Sequence, residues 1–126
     1  ISPQIPGFNR GIWKKLEETV RNWAVDNEKI YIATGPVLTK SYPTIGNNKV
    51  SIPDFYYKVI LDYKKPEFKA IGFILPNKKS KQSIESYVVT VDSVEKFTDI
   101  DFFHNLPDKI ERIIESDLDI SKWNFN

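Results

Sequence analysis

The sequence predicts an α+β fold, a mostly antiparallel sheet with flanking helices, in a single domain covering residues 1–126. Three observations predict it. An apolar stripe of helical period occupies the N-terminal quarter, with Trp13, Leu16, Val20, Trp23 and Ala24 on one face. Two runs rich in β-branched and aromatic residues then follow, joined by a link short enough only for a hairpin. Helical stripes return toward the C-terminus. A chain of 126 residues is one domain's worth and buries roughly two-thirds of its unfolded surface.

The elements follow in order. Asn9 is placed to cap the first helix, because its side-chain oxygen can accept from the free amides of the first turn. Arg10, Lys14, Lys15, Glu18 and Arg21 lie off the apolar stripe, and the helix is expected to end near Asp26. Lys29-Ile30-Tyr31-Ile32-Ala33-Thr34 reads as a strand stopped by Gly35-Pro36. Residues 40–49 read as a turn-rich loop with Gly46-Asn47-Asn48 at its tip. Residues 55–63 and 68–75 read as antiparallel strands, and Pro76 closes the second. A polar, Lys-rich loop covers 77–83, and 87–91 reads as a short extended piece. Asp92-Ser93-Val94-Glu95 has the spacing of a capping box before a short helix reaching about Thr98. Asp99 and Asp101 mark a turn. Leu106, Ile110, Ile113, Ile114 and Leu118 form a further helical stripe, and Trp123 docks the tail.

Composition excludes several classes. No apolar run approaches the roughly 20 residues a membrane helix needs, so no membrane partner is expected. The chain has no Cys, which removes disulfides, thiolate metal sites and a cysteine nucleophile. It also has no Met and no basic-then-apolar leader, so a fragment of a longer polypeptide is the expectation. The net charge of +1 hides an asymmetry. Six Lys (64, 65, 69, 78, 79, 81) stand against Asp62 and Glu67 in residues 62–81, whereas residues 92–119 carry nine acids against Lys96, Lys109 and Arg112. The basic loops could face phosphates on one side. Phosphate-cradling, dinucleotide-binding, zinc-protease and serine-hydrolase motifs do not occur. The aromatic pairs Tyr56-Tyr57 and Phe102-Phe103 are bracketed by apolar residues and read as core.

One segment carries chemistry. Pro3-Gln4, a spacer, and then Asn9-x-Gly11-x-Trp13-x-x-Leu16-Glu17 resembles the metal-binding helix of the DNA/RNA non-specific endonucleases, the ββα-metal nucleases. Further segments resemble the same family in the same order. They are Thr34-Gly35-Pro36 at a strand end, Ile52-Pro53-Asp54-Phe55-Tyr56-Tyr57-Lys58-Val59-Ile60, residues 70–77, residues 87–92, Asp101-Phe102-Phe103 and Leu106-Pro107-Asp108.

The resemblance implies a part of the ββα-metal nuclease fold and a metal-dependent endonuclease acting on DNA and RNA without strong sequence preference. It implies Mg²⁺ (or Mn²⁺) held through Asn9, and a catalytic role for Glu17 in holding metal-bound water by hydrogen bonds. On one continuous helix the two side chains would stand ~80° apart in azimuth and ~12 Å apart along the axis, suiting a direct ligand and a water-bridged acid. The family's D-R-G-H motif, with its catalytic His, lies upstream of the Pro-Gln segment and has no counterpart here. His104, the only His, reads as an incidental loop residue. The expected partners are therefore DNA and RNA together with the N-terminal segment of the same protein, and this chain alone is expected to be inactive. The expected compartment is exported or periplasmic, or organellar if the source is eukaryotic. The alternative is a nuclease-like module that binds nucleic acid or protein without chemistry.

Overall fold

The computed structural model describes residues 4–26, 30–37, 44–45, 50–51, 53–64, 67–103, 114 and 118–125. Helix α1 (Pro6–Arg10) is followed at once by α2 (Ile12–Asp26), then β1 (Tyr31–Pro36), β2 (Thr44–Ile45), β3 (Val50–Ser51), β4 (Phe55–Lys64) and β5 (Glu67–Pro76). A 3₁₀ turn at Ile84–Tyr87 leads into β6 (Val88–Val89) and α3 (Val91–Thr98), and a last 3₁₀ turn spans Ile120–Lys122.

The sheet has the order β1-β4-β5-β6, and every pairing in it is antiparallel. The α+β expectation and its antiparallel sheet are borne out. Strand β4 is buried on both faces because side chains alternate across a strand. Tyr56 and Ile60 point to α2, where they pack with Trp13, Leu16, Val20 and Trp23 and with Ile71 and Phe73 of β5. Tyr57, Val59 and Leu61 point the other way, into a second cluster with Ala70, Val91 and Val94. The result is a helix–sheet–helix stack. Gly72 lets α3 approach β5: a Cβ there would meet Val94 Cγ2 at 2.7 Å and the Val89 carbonyl at 3.2 Å.

The tail docks through Trp123 as expected. Its ring centroid lies 4.8 Å from that of Trp23, and the Trp23 indole N–H donates to the Asn124 carbonyl. Asp99 forms the expected turn, as a left-handed C-cap of α3 at φ 60° whose N–H donates to the Glu95 carbonyl.

Two local expectations are corrected. Asn9 does not cap a helix. It lies inside α1, whose N-cap is Ile5, and Pro6 opens that helix because its fixed φ and missing N–H suit the first turn. Asp92 does not cap α3 either. Thr90 does, its hydroxyl accepting from Ser93 N–H at 3.1 Å, which frees Glu95 to accept from Phe102 N–H at 2.9 Å. The loop expected over 40–49 contains one arm of the small β2–β3 ribbon. Residues 46–49, the stripe from Leu106 to Ile113, and His104 lie outside the described residues.

Candidate metal and phosphate site

The break between α1 and α2 decides where Asn9 stands. Gly11 ends α1 with φ −102° and ψ −109°, outside helical geometry. A Cβ at Gly11 would lie 2.7 Å from the Gly7 carbonyl oxygen, so only glycine lets the chain turn this closely. Asn9 and Glu17 thus occupy two helices, and the geometry of a single continuous helix does not hold.

Asn9 is exposed on α1, and its carboxamide has no hydrogen-bond partner among the described residues. The helix that carries it is fixed from three sides. Its Phe8 ring lies 5.3 Å from Trp13 and 5.6 Å from Tyr56, and Trp13 and Tyr56 are 5.7 Å apart, joining α1, α2 and β4. Ile5 N–H donates to the Asn77 side-chain oxygen at 2.9 Å, and the Asn77 amide donates to the Pro53 carbonyl at 2.9 Å. The start of the Lys-rich loop also touches α1: a Cβ on Gly7 would lie 3.0 Å from Lys79 Cβ.

Glu17 is exposed on α2. Together with Val20, Arg21, Ala24, Ile32 and Lys58 it lines an open cleft of about 360 Å³ between α2 and strands β1 and β4. Asn9 does not line that cleft. Lys58 of β4 turns toward α2. It is 6% exposed, with Nζ 4.9 Å from the Trp13 ring centroid, inside the reach of a cation–π contact. Burial pushes its ammonium below the ordinary lysine value, and the Glu17 carboxylate opposes that by pulling it back up. Tandem Tyr56-Tyr57-Lys58 obscured this, because alternation alone does not say which face of a two-sided strand is which.

Donor chemistry can be tested against a cation. Among the described residues no three His, Cys, Asp or Glu side chains gather into a metal cage. The exposed Asn9 carboxamide offers a single oxygen donor, of the kind Mg²⁺ accepts while keeping most of its waters, and the Glu17 carboxylate lines a cleft that Asn9 does not.

Residues 1–109 match the family model described as DNA/RNA non-specific endonuclease. The chain belongs to that family. It is 32% identical over 123 residues to mitochondrial endonuclease G of Caenorhabditis elegans, covering 86% of this chain and 40% of the relative. It is 29% identical over 122 residues to a nuclease of Serratia marcescens, covering 92% and 46%. A chain in the crystal structure of the EndoG/EndoGI complex superposes with a TM-score of 0.77 at 30% identity, covering 86% of this chain and 50% of that one. The chain thus spans under half the length of these curated relatives.

Proposed function

We propose that this chain is the C-terminal, metal-ligand-bearing part of a DNA/RNA non-specific endonuclease that hydrolyses phosphodiester bonds. The observation that carries the reading is the rigid mounting of the Asn9 helix on Trp13 and Tyr56, beside a cleft edged by Glu17, Arg21 and Lys58. In the proposed reaction, water attacks phosphorus, the bond from phosphorus to the 3′-oxygen breaks, and a 5′-phosphate and a 3′-hydroxyl result. Asn9 would hold Mg²⁺ (or Mn²⁺) through its carbonyl oxygen, and Glu17 would hold water by hydrogen bonds next to it. Such an ion, when bound, supplies stabilisation of the charge that develops on the phosphate and the leaving oxygen. The Arg21 guanidinium, exposed one turn beyond Glu17, can pair with phosphate oxygens. Contacts of this kind carry no sequence information, in keeping with a non-specific enzyme.

The base that deprotonates the water would come from sequence upstream of Ile1. In support, β1 is an edge of the described sheet, with Tyr31 and Ile32 about half exposed on it, and the curated relatives are more than twice as long. Among the described residues no helix is long and apolar enough to cross a membrane. Mitochondrial nucleases are among the relatives, so an organelle is the compartment proposed for a eukaryotic source, and export for a bacterial one.

Two results test the reading. The polypeptide encoded upstream of Ile1 should contain a D-R-G-H segment. In that full-length polypeptide, Asn9→Ala should abolish Mg²⁺-dependent plasmid cleavage, and undiminished cleavage would refute the ligand role. The contact of the Lys79 loop with α1 favours a second reading, a module that holds nucleic acid without cutting it. That reading predicts salt-sensitive binding and no cleavage in the full-length polypeptide.

A further inference from the structure

Lys58 is a buried cation that the proposed reaction does not use. Its strand neighbours in register are Thr34 of β1 and Phe73 of β5, neither of them ionisable. Among the described residues, Glu17 and Arg21 of α2 are the charged groups that share its cleft. No carboxylate oxygen lies within ion-pair distance of its Nζ among the described residues. A buried ammonium held by one aromatic face is costly to keep in a core of this kind. Methionine or leucine would fill the same space beside Trp13 without that cost. The charge itself therefore calls for a use, and the group it faces is Glu17.

Resting on the nuclease reading above, we propose that Lys58 is a positioning residue for Glu17. Its ammonium, fixed on the Trp13 ring, confines the Glu17 carboxylate to the cleft and so sets where that carboxylate holds water. Glu17 is an exposed side chain with three rotatable bonds on the surface of α2. Left to itself it samples many rotamers, each with its oxygens in a different place. A fixed cation on the facing strand biases that set toward the cleft. It does so without occupying the carboxylate in a direct ion pair, which leaves both oxygens available to water. Trp13 serves both halves of the arrangement, since Phe8 beside Asn9 packs on the same ring that holds Lys58.

The test has two arms. In this chain, the side-chain ¹⁵N signal of Lys58 is titrated in the wild type and in Glu17→Gln. The midpoint should fall in Glu17→Gln, and an unchanged midpoint would show that the two groups do not sense each other and overturn the proposal. In the full-length polypeptide, plasmid cleavage is measured against Mg²⁺ and against DNA concentration for Lys58→Met and Lys58→Arg. Lys58→Met should raise the Mg²⁺ concentration for half-maximal cleavage roughly 10-fold or more, with KM for DNA nearly unchanged, and Lys58→Arg should restore much of the loss. Adding Glu17→Gln to Lys58→Met should cost little more than Glu17→Gln alone, because the two act as a unit. A rise in KM for DNA with an unchanged Mg²⁺ dependence would make Lys58 a phosphate contact and overturn the positioning role. If the wild-type polypeptide shows no Mg²⁺-dependent cleavage, the nuclease reading fails and takes the role with it. A surviving ¹⁵N coupling would then mark the pair as structural.

Discussion

Asn77 and Ile5, 72 residues apart in sequence, are joined by a 2.9 Å hydrogen bond from the Ile5 backbone N–H to the Asn77 side-chain oxygen. The same side chain donates to the Pro53 carbonyl, and its backbone N–H donates to the Asp54 carbonyl at 2.8 Å. Asn77 is 5% exposed. One buried carboxamide thus ties the entry of α1 to the end of β5 and to the start of β4.

Asn77→Ala should therefore destabilise the fold by about 1–3 kcal/mol, the cost of leaving buried polar groups without partners. Urea unfolding measures it. The effect should be local as well as global: amide exchange in α1 should quicken more than in β4, because Ile5 loses its anchor. A loss under 0.5 kcal/mol, or even exchange across both elements, would show that the anchor does not hold α1.

Gly11 gives a second prediction. Its missing Cβ would stand 2.7 Å from the Gly7 carbonyl, and backbone cannot yield as the end of a flexible side chain can. Gly11→Ala should cost about 1–3 kcal/mol, in the range of overpacking, although alanine is otherwise the better helix former. A stabilised variant, read by thermal unfolding, would mean that α1 and α2 merge into one helix. The Mg²⁺ binding proposed for Asn9 should then change with it.

The sheet was legible in the sequence because β4 and β5 are long, β-branched and bounded by Pro53 and Pro76. Their alternation also fixed which residues share a face. Helix α2 was legible for the same kind of reason, in Trp13, Leu16, Val20 and Trp23. The site was less so. Asn9 looks like a cap because Asn often caps, yet Pro6 three residues earlier starts the helix and Gly11 stops it. Those two backbone effects outweigh side-chain preference. Thr90 and Asp92 can both cap a helix, and only the approach of Phe102 to Glu95 shows how Glu95 is used. Lys58 is a matter of tertiary structure: sequence gives its alternation phase but not that the phase faces Trp13 and Glu17.

Trp123 carries a third prediction. It is 4% exposed, it packs on Trp23, and the Lys69 ammonium lies 4.8 Å from its ring centroid. Trp123→Ala should cost about 3–5 kcal/mol, lowering Tm by roughly 10 °C or more. The neighbouring Trp23 indole N–H should also lose its Asn124 partner and exchange with solvent faster, which NMR detects. An unchanged Tm would mean that residues 118–125 contribute nothing to the α2 side of the core.

Lys58 makes stability depend on pH in a definite direction. Burial holds its folded-state value below the ordinary 10.5, so between the folded and unfolded values the native state binds fewer protons than the unfolded chain. Stability then rises with pH through that window. Tyr57 acts oppositely. Burial raises its phenol above 10.0, so the native state binds more protons from that pH upward, and stability falls as pH climbs past it. The two contributions separate by mutation. In Lys58→Met the rise should vanish, so the wild type should gain on the variant as pH increases toward 10.5. In Tyr57→Phe the fall above pH 10.0 should vanish. Glu17→Gln should extend the Lys58 window to lower pH, since the carboxylate partly offsets the lowering by burial. Urea unfolding from pH 7 upward reads all three. A constant difference between the wild type and Lys58→Met across that range would mean that Lys58 titrates in the native state as it does in the unfolded chain.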